Sequence, residues 1–112
     1  MSNLNLSRLG FEEISFERTN LSNTNLSGSE FIKVSLKGAN LSEANLNKAN
    51  LESANLSYAN LRAELSYANL KGANLKGANL LSIEFCGLDL RGANLKGAKI
   101  PDFDRCSFLP KE

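Results

Sequence analysis

The sequence predicts a solenoid, a closed coil of short extended sides joined at corners. Three observations predict it. From Leu36 to Leu61 the chain reads LKGANLSEANLNKANLESANLSYANL, with leucine at every fifth position. With each such leucine or phenylalanine taken as position i, all eleven alanines fall at i−2, from Ala39 to Ala98, and twelve of the fifteen asparagines at i−1. Seven of the eight glycines (Gly28, Gly38, Gly72, Gly77, Gly87, Gly92 and Gly97) fall at i+2. Three residue types sorted into three columns make a repeat, and a repeat is read before any local propensity.

A period of five fits neither regular element. On a helix a five-residue step advances about 500° at 100° per residue, which spreads leucine over every face. In a continuous strand the inward positions recur every two residues. Here the apolar spacing alternates two, three, two, three. The step of two keeps Ala and Leu on one side of a short extended segment, and the step of three turns a corner. Glycine at i+2 agrees, because a corner needs a residue that tolerates φ > 0. Lys71, Lys76 and Cys86 are followed twenty residues later by Arg91, Lys96 and Cys106, which hints at four sides per coil.

The A-N-L-x-x unit, as in Ala44-Asn45-Leu46-Asn47-Lys48, resembles the pentapeptide-repeat family over about residues 4 to 100. The resemblance implies an all-β, right-handed quadrilateral parallel β-helix of about five coils, with four pentapeptide repeats in each. The register itself marks a repeat domain over residues 1–100, followed by a cap or dimerisation segment over 101–112.

In chain order, the first coils are irregular. Phe11, Phe16 and Phe31 take position i, while Leu4, Leu9, Ile14 and Val34 replace alanine at i−2. Ile83, Phe85 and Leu88 do the same near the other end. Large residues towards both ends of a narrow apolar tube read as plugs filling interior volume. The Asn column reads as structural, bonding turn backbone and stacking between coils. Leu61 and Leu65 are only four apart in ANLRAELSYANL, so one corner has lost its i+2 residue and should tighten. Tyr58 and Tyr67 flank that step at outward corner positions, on different corners, and are candidate partner contacts.

From Leu65 the outward i+1 column turns basic with Lys71, Lys76, Arg91 and Lys96. With Lys99, residues 65–100 carry five positive charges against Glu84 and Asp89. In twenty-residue coils Lys71 stacks under Arg91 and Lys76 under Lys96 on adjacent sides. Such a face either meets an acidic or phosphate-bearing partner or is a solvated face that keeps stacked edges soluble. The register ends near Ile100-Pro101, and Phe103 and Phe108 resume a five-residue step in a new phase. Residues 101–112 either fold over the last coil or present Phe103, Phe108 and Leu109 to a second copy, since the family often dimerises through that end.

Composition excludes more than it assigns. The net charge of +1, with both signs interspersed, marks neither a nucleic-acid binder nor an acidic mimic. Without histidine there is no Ser-His or Cys-His pair and no imidazole metal ligand. The acidic residues are scattered over a convex rod, and the glycines belong to separate corners, so neither paired-carboxylate catalysis nor a phosphate-cradling loop is expected. No cofactor is expected, and the protein is not expected to be an enzyme. No apolar run has transmembrane length, and Met1 leads straight into repeats, so neither a membrane span nor a signal peptide is expected. Two cysteines without an export signal point to a reducing cytoplasm and free thiols, with a Cys86–Cys106 disulfide as the alternative.

The function expected is a protein-interaction scaffold for an unidentified protein partner. The rival comes from family resemblance: some relatives mimic duplex DNA, bind type II topoisomerases such as gyrase and give quinolone protection. Mimicry needs outward carboxylate rows at phosphate-like spacing, and the C-terminal half carries lysine instead.

Overall fold

The computed structural model describes residues 2–81 and 86–101. The i−1 residue of each repeat bridges, in parallel, the i−1 residue one coil later. Four such ladders run along the rod and define four sides. Side I carries Asn5, Asn25, Asn45 and Glu64; side II carries Gly10, Glu30, Asn50, Asn69 and Asp89. Side III carries Ser15, Ser35, Asn55, Asn74 and Asn94, and side IV carries Asn20, Asn40, Asn60, Asn79 and Lys99. Two segments are long enough to count as strands, β1 (Gly10–Glu12) and β2 (Glu30–Ile32), which pair with Phe11 opposite Phe31.

Backbone bonds hold the coils in register. Leu21 N donates to Asn40 O at 2.8 Å, Asn23 N to Ser42 O at 3.0 Å, and Asn40 N to Thr19 O at 2.9 Å, and this set recurs from side to side. A short side therefore spends its donors and acceptors on the coils above and below it, which answers where the backbone of so irregular a segment finds its partners.

The corners follow from the i+2 residue. It has positive φ in every regular corner described, in non-glycine residues such as Lys48 (φ 64) and Tyr58 (φ 62) as well as at the glycines. The i+1 residue does not, so the turn is type II, closed by i+3 N–H to i C=O, as in Ala44 N to Leu41 O at 3.0 Å. Asparagine at i−1 completes the corner. In all twelve cases its Oδ1 accepts the N–H of i+1, at 2.9–3.2 Å. Bonds between stacked asparagines are the lesser part of the column's work: Asn69 to Asn50 and Asn94 to Asn74, each at 3.4 Å.

The core is the leucine and alanine columns. Every i residue from Leu36 to Leu80, and every alanine paired with it, is buried. Each fully buried leucine contributes about 1.5–3 kcal/mol, against the backbone entropy of ordering its repeat. At the N-terminal end Phe11 stacks on Phe31 (5.2 Å between centroids) and meets Phe16 edge-on at 5.3 Å. These rings fill the tube as expected. Leu4, Leu9 and Ile14 do not: they are 43, 45 and 42 % exposed, on the rim of a coil that none of the described residues covers from below. Near the other end Leu88 is buried, and Ile83 and Phe85 lie outside the described residues.

The short step tightens as its spacing predicts. Between Leu61 and Leu65 no residue takes positive φ, and the corner closes instead through Ala63 N to Leu61 O at 2.7 Å, a three-residue turn. The coil containing it holds one residue fewer, so four successive bridges span nineteen residues, from Asn45–Glu64 to Asn60–Asn79, before twenty returns at Asn69–Asp89. The ladders continue through it. Glu64 replaces asparagine in the i−1 column here, and Asn47 of the preceding coil supplies the missing acceptor. Its Oδ1 takes the Ser66 N–H at 2.8 Å while its Nδ2 donates to Glu64 at 3.1 Å.

Candidate interaction surface

The interior is filled by columns of side chains, so chemistry directed at a partner belongs to the outward i+1 and i+2 columns. Lys71 and Arg91 occupy successive coils on side II, where Gly72 N donates to Arg91 O at 2.9 Å. Lys76 and Lys96 do so on side III, where Gly77 N donates to Lys96 O at 2.9 Å. All four side chains are exposed, and the two columns lie on adjacent sides.

The four cations are not equivalent. Arg91 is held against Asp89, two residues back on the same side: Nε donates to Oδ1 at 3.0 Å and Nη2 to Oδ2 at 2.8 Å. The Arg91 N–H also bonds Asp89 Oδ1 at 3.1 Å, so aspartate performs the asparagine's task at this corner and holds a guanidinium too. Those side-chain and backbone bonds hold the Asp89 carboxyl below its usual 3.8, at about 2, and push Arg91 up. This is the one ion pair among the described residues, so Lys71, Lys76 and Lys96 carry the unneutralised charge of the face. A second feature was not singled out from the sequence, although the stacking spacing contains it. The same two columns begin with acids, Glu12 and Glu17 in the first coil, so the face runs from acidic to basic along the rod.

Tyr58 and Tyr67 are 55 % and 66 % exposed and stand two sides apart, at diagonal corners, so they form no common patch. Each lies over a glycine one coil further on. A Cβ on Gly77 would meet the Tyr58 ring at 2.6 Å, and one on Gly87 the Tyr67 ring at 2.4 Å. The spacings of nineteen and twenty residues signal this nesting. The rings are thereby fixed on one face and open to solvent on the other.

Cys86 is disulfide-bonded, which overturns the free-thiol expectation for that residue. Cys106, the chain's other cysteine, lies outside the described residues, as do Phe103, Phe108 and Leu109. Among the described residues no group of His, Cys, Asp and Glu is placed to hold a metal ion, and no helix is long and apolar enough to cross a membrane.

The pentapeptide-repeats family model matches in eight copies, over residues 1–38, 11–47, 35–62 and 63–100. A search of curated proteins finds no match. Among solved structures the chain is similar to Rfr23, a pentapeptide repeat protein from the cyanobacterium Cyanothece 51142. Identity is 31 % over 88 % of this chain and 84 % of that one, with a TM-score of 0.41. HetL from Nostoc sp. PCC 7120, a pentapeptide repeat protein involved in regulating heterocyst differentiation, is 27 % identical over 85 % of this chain and 67 % of that one (TM-score 0.27). QnrB1, a plasmid-mediated fluoroquinolone resistance protein, is 18 % identical over 88 % of this chain and 68 % of that one (TM-score 0.28). The repeat model, matching nearly the whole described chain, shows that the chain belongs to the pentapeptide-repeat family, whose members are right-handed quadrilateral β-helices.

Proposed function

We propose that this protein is a non-enzymatic interaction scaffold of about five coils, and that an acidic protein partner docks on sides II and III at the basic end of the rod. The observation that carries this reading is the alignment of Lys71, Lys76 and Lys96 in adjacent exposed columns with no ion-pair partner among the described residues. Backbone bonds between coils hold the lysine stems at fixed spacing, so little backbone ordering is required on binding. Complementary charge would raise the association rate and select against basic partners. Arg91, engaged by Asp89, adds shape more than charge.

The test is capture from the source lysate by the intact chain, beside a variant with Lys71, Lys76, Arg91 and Lys96 changed to serine. A partner retained by the first and lost by the second supports the reading. A partner retained equally by both rejects the basic face as the docking surface. A gyrase supercoiling assay tests the competing DNA-mimic reading, which the lysines of these columns speak against; clear inhibition would displace the scaffold proposal.

A further inference from the structure

We propose that the corner between sides I and II, at the opposite end of the rod from the lysine face, binds a phosphomonoester-type dianion between Arg8 and Lys48. The i+2 column of this corner reads Arg8, Gly28, Lys48 in three successive coils. Glycine leaves a gap there, and Arg8, Ser27, Gly28, Asn47 and Lys48 line a notch of about 310 Å3. Arg8 leans into the gap, since its Cγ lies 3.4 Å from where a Gly28 side chain would begin. Lys48, one coil beyond Gly28 in the same column, lines the notch together with Arg8. Two residues of like charge thus border one notch.

Nothing within the notch balances them. Neither Arg8 nor Lys48 has an ion-pair partner among the described residues. Glu64, one coil beyond Lys48 on side I, is engaged by Asn47 Nδ2 at 3.1 Å. The other lining groups are already committed: Ser27 donates to Asn25 at 2.8 Å, and the Gly28 and Lys48 N–H groups donate to Asn47 O and Ser66 O, each at 2.9 Å. A bound anion would therefore be held by the two cationic side chains. A neighbouring notch makes the contrast. Lined by Phe31, Ile32, Lys33, Asn50, Glu52 and Ser53, it contains one charge of each sign and calls for no counterion.

The charge count selects the ligand class. A phosphomonoester carries about −1.5 to −2 at pH 7, because its second pKa is about 6, and so matches two cations. A carboxylate matches one. Phosphate also offers three acceptor oxygens, enough to reach both a guanidinium and an ammonium.

The experiment follows the amide resonances of the full chain at constant ionic strength, titrated with inorganic phosphate, phenyl phosphate, sulfate and acetate. The expected result is saturable shifts of Gly28 and Lys48 with phosphate and with phenyl phosphate. Tighter binding of phenyl phosphate points to a phosphate carried on a larger molecule, and equal binding to free phosphate. Arg8→Gly and Lys48→Gly each weaken the affinity at least tenfold; glycine suits the positive φ of both corners (59° and 64°), so the coil is retained. Lys71→Ser leaves it unchanged. Lowering the pH from 7.5 to 5.5 weakens inorganic phosphate several-fold and leaves sulfate, a dianion throughout, unaffected. Non-saturating shifts, acetate binding as tightly as phosphate, or equal weakening by Lys71→Ser would overturn the assignment, the last by reducing it to diffuse charge attraction. The pH and sulfate comparison needs no variant, so the proposal stays testable even if a substitution disturbs the fold.

Discussion

The first coil and the central coils are built from the same five-residue unit, yet only the central ones are sealed. Between Leu36 and Leu61 each leucine and alanine is buried, and the regular turns close at 3.0–3.1 Å. In the first coil Leu4, Leu9 and Ile14 stand at the same i−2 positions and remain more than two-fifths exposed. Serine stands in for asparagine at Ser15, where its Oγ accepts the Glu17 N–H at a longer 3.3 Å. The difference is one of neighbours. A repeat with a coil on each side covers both of its inward side chains, and a repeat with one neighbour leaves its i−2 residue open. Larger side chains at the end fit this: an end coil gains from reaching further over the coil it touches, while a central coil has room only for alanine.

The largest predicted contrast comes from removing core volume. Leu51→Ala should cost about 2–5 kcal/mol, since the side chain is wholly enclosed and its neighbours are locked in register. Leu4→Ala should cost less than about 1 kcal/mol because much of that side chain is already in water. Urea denaturation of both variants measures the gap; equal losses would mean that the end coil is as well sealed as the centre.

Next comes the corner. Gly97→Ala meets nothing closer than backbone at 3.9 Å and suffers only its positive φ of 72°, a penalty of about 1–2 kcal/mol. Gly77→Ala has the same backbone penalty and must also push the Tyr58 ring away from 2.6 Å, a further ~1–3 kcal/mol. Adding Tyr58→Ala should recover that second part, which a double-mutant cycle reads directly. A cycle with no coupling would show that the ring swings aside freely.

Smaller still is the asparagine column. On side III, Asn55→Ala removes the acceptor of both the Ser57 N–H (3.1 Å) and its hydroxyl (2.7 Å) and should cost about 1 kcal/mol. Ser15→Ala, on the same side of the first coil, should cost only a few tenths by the same measurement, its one bond being longer and exposed. A larger loss at Ser15 would reverse the ranking of the two coils.

The least effect concerns Asp89. Its carboxyl is held down to about 2 by Arg91, so its contribution to folding is present above the ordinary value of 3.8 and fades as pH falls from there towards 2. Both groups face solvent, so the change in stability is small. A carboxylate NMR titration is the sensitive readout: Arg91→Ser should return Asp89 towards 3.8, and an unchanged titration would remove Arg91 as the cause.

Much of this was legible in the chain itself. The period of five, the inward Leu and Ala columns, the corner glycines and the tightened Leu61–Leu65 step all follow from spacing, because a five-residue repeat leaves few ways to keep two apolar positions inside. What escaped was the set of contacts between columns. Tyr58 over Gly77 and Tyr67 over Gly87 depend on which residues lie one coil apart, and the short step changes that distance from twenty to nineteen on the way. Asn47, outside the asparagine column, looked like an ordinary outward residue; its task follows from Glu64, whose replacement of asparagine was visible and whose consequence was not. Asp89 and Arg91 read as opposite charges of a basic stretch, although a separation of two along one short side brings them together. The hand of the coil is carried by family membership, since no spacing distinguishes right from left.

The central claim is that each coil is held by the coils on either side, which makes the middle of the rod a rigid platform for its outward columns. Native-state amide hydrogen exchange, resolved by residue, tests it most directly. The account predicts slow exchange for inter-coil donors in the middle, such as Leu41, Leu46, Leu51 and Leu56, and fast exchange for Leu6 and Arg8 in the first coil. Equal protection in both regions, or a middle that exchanges as fast as the end, would contradict it.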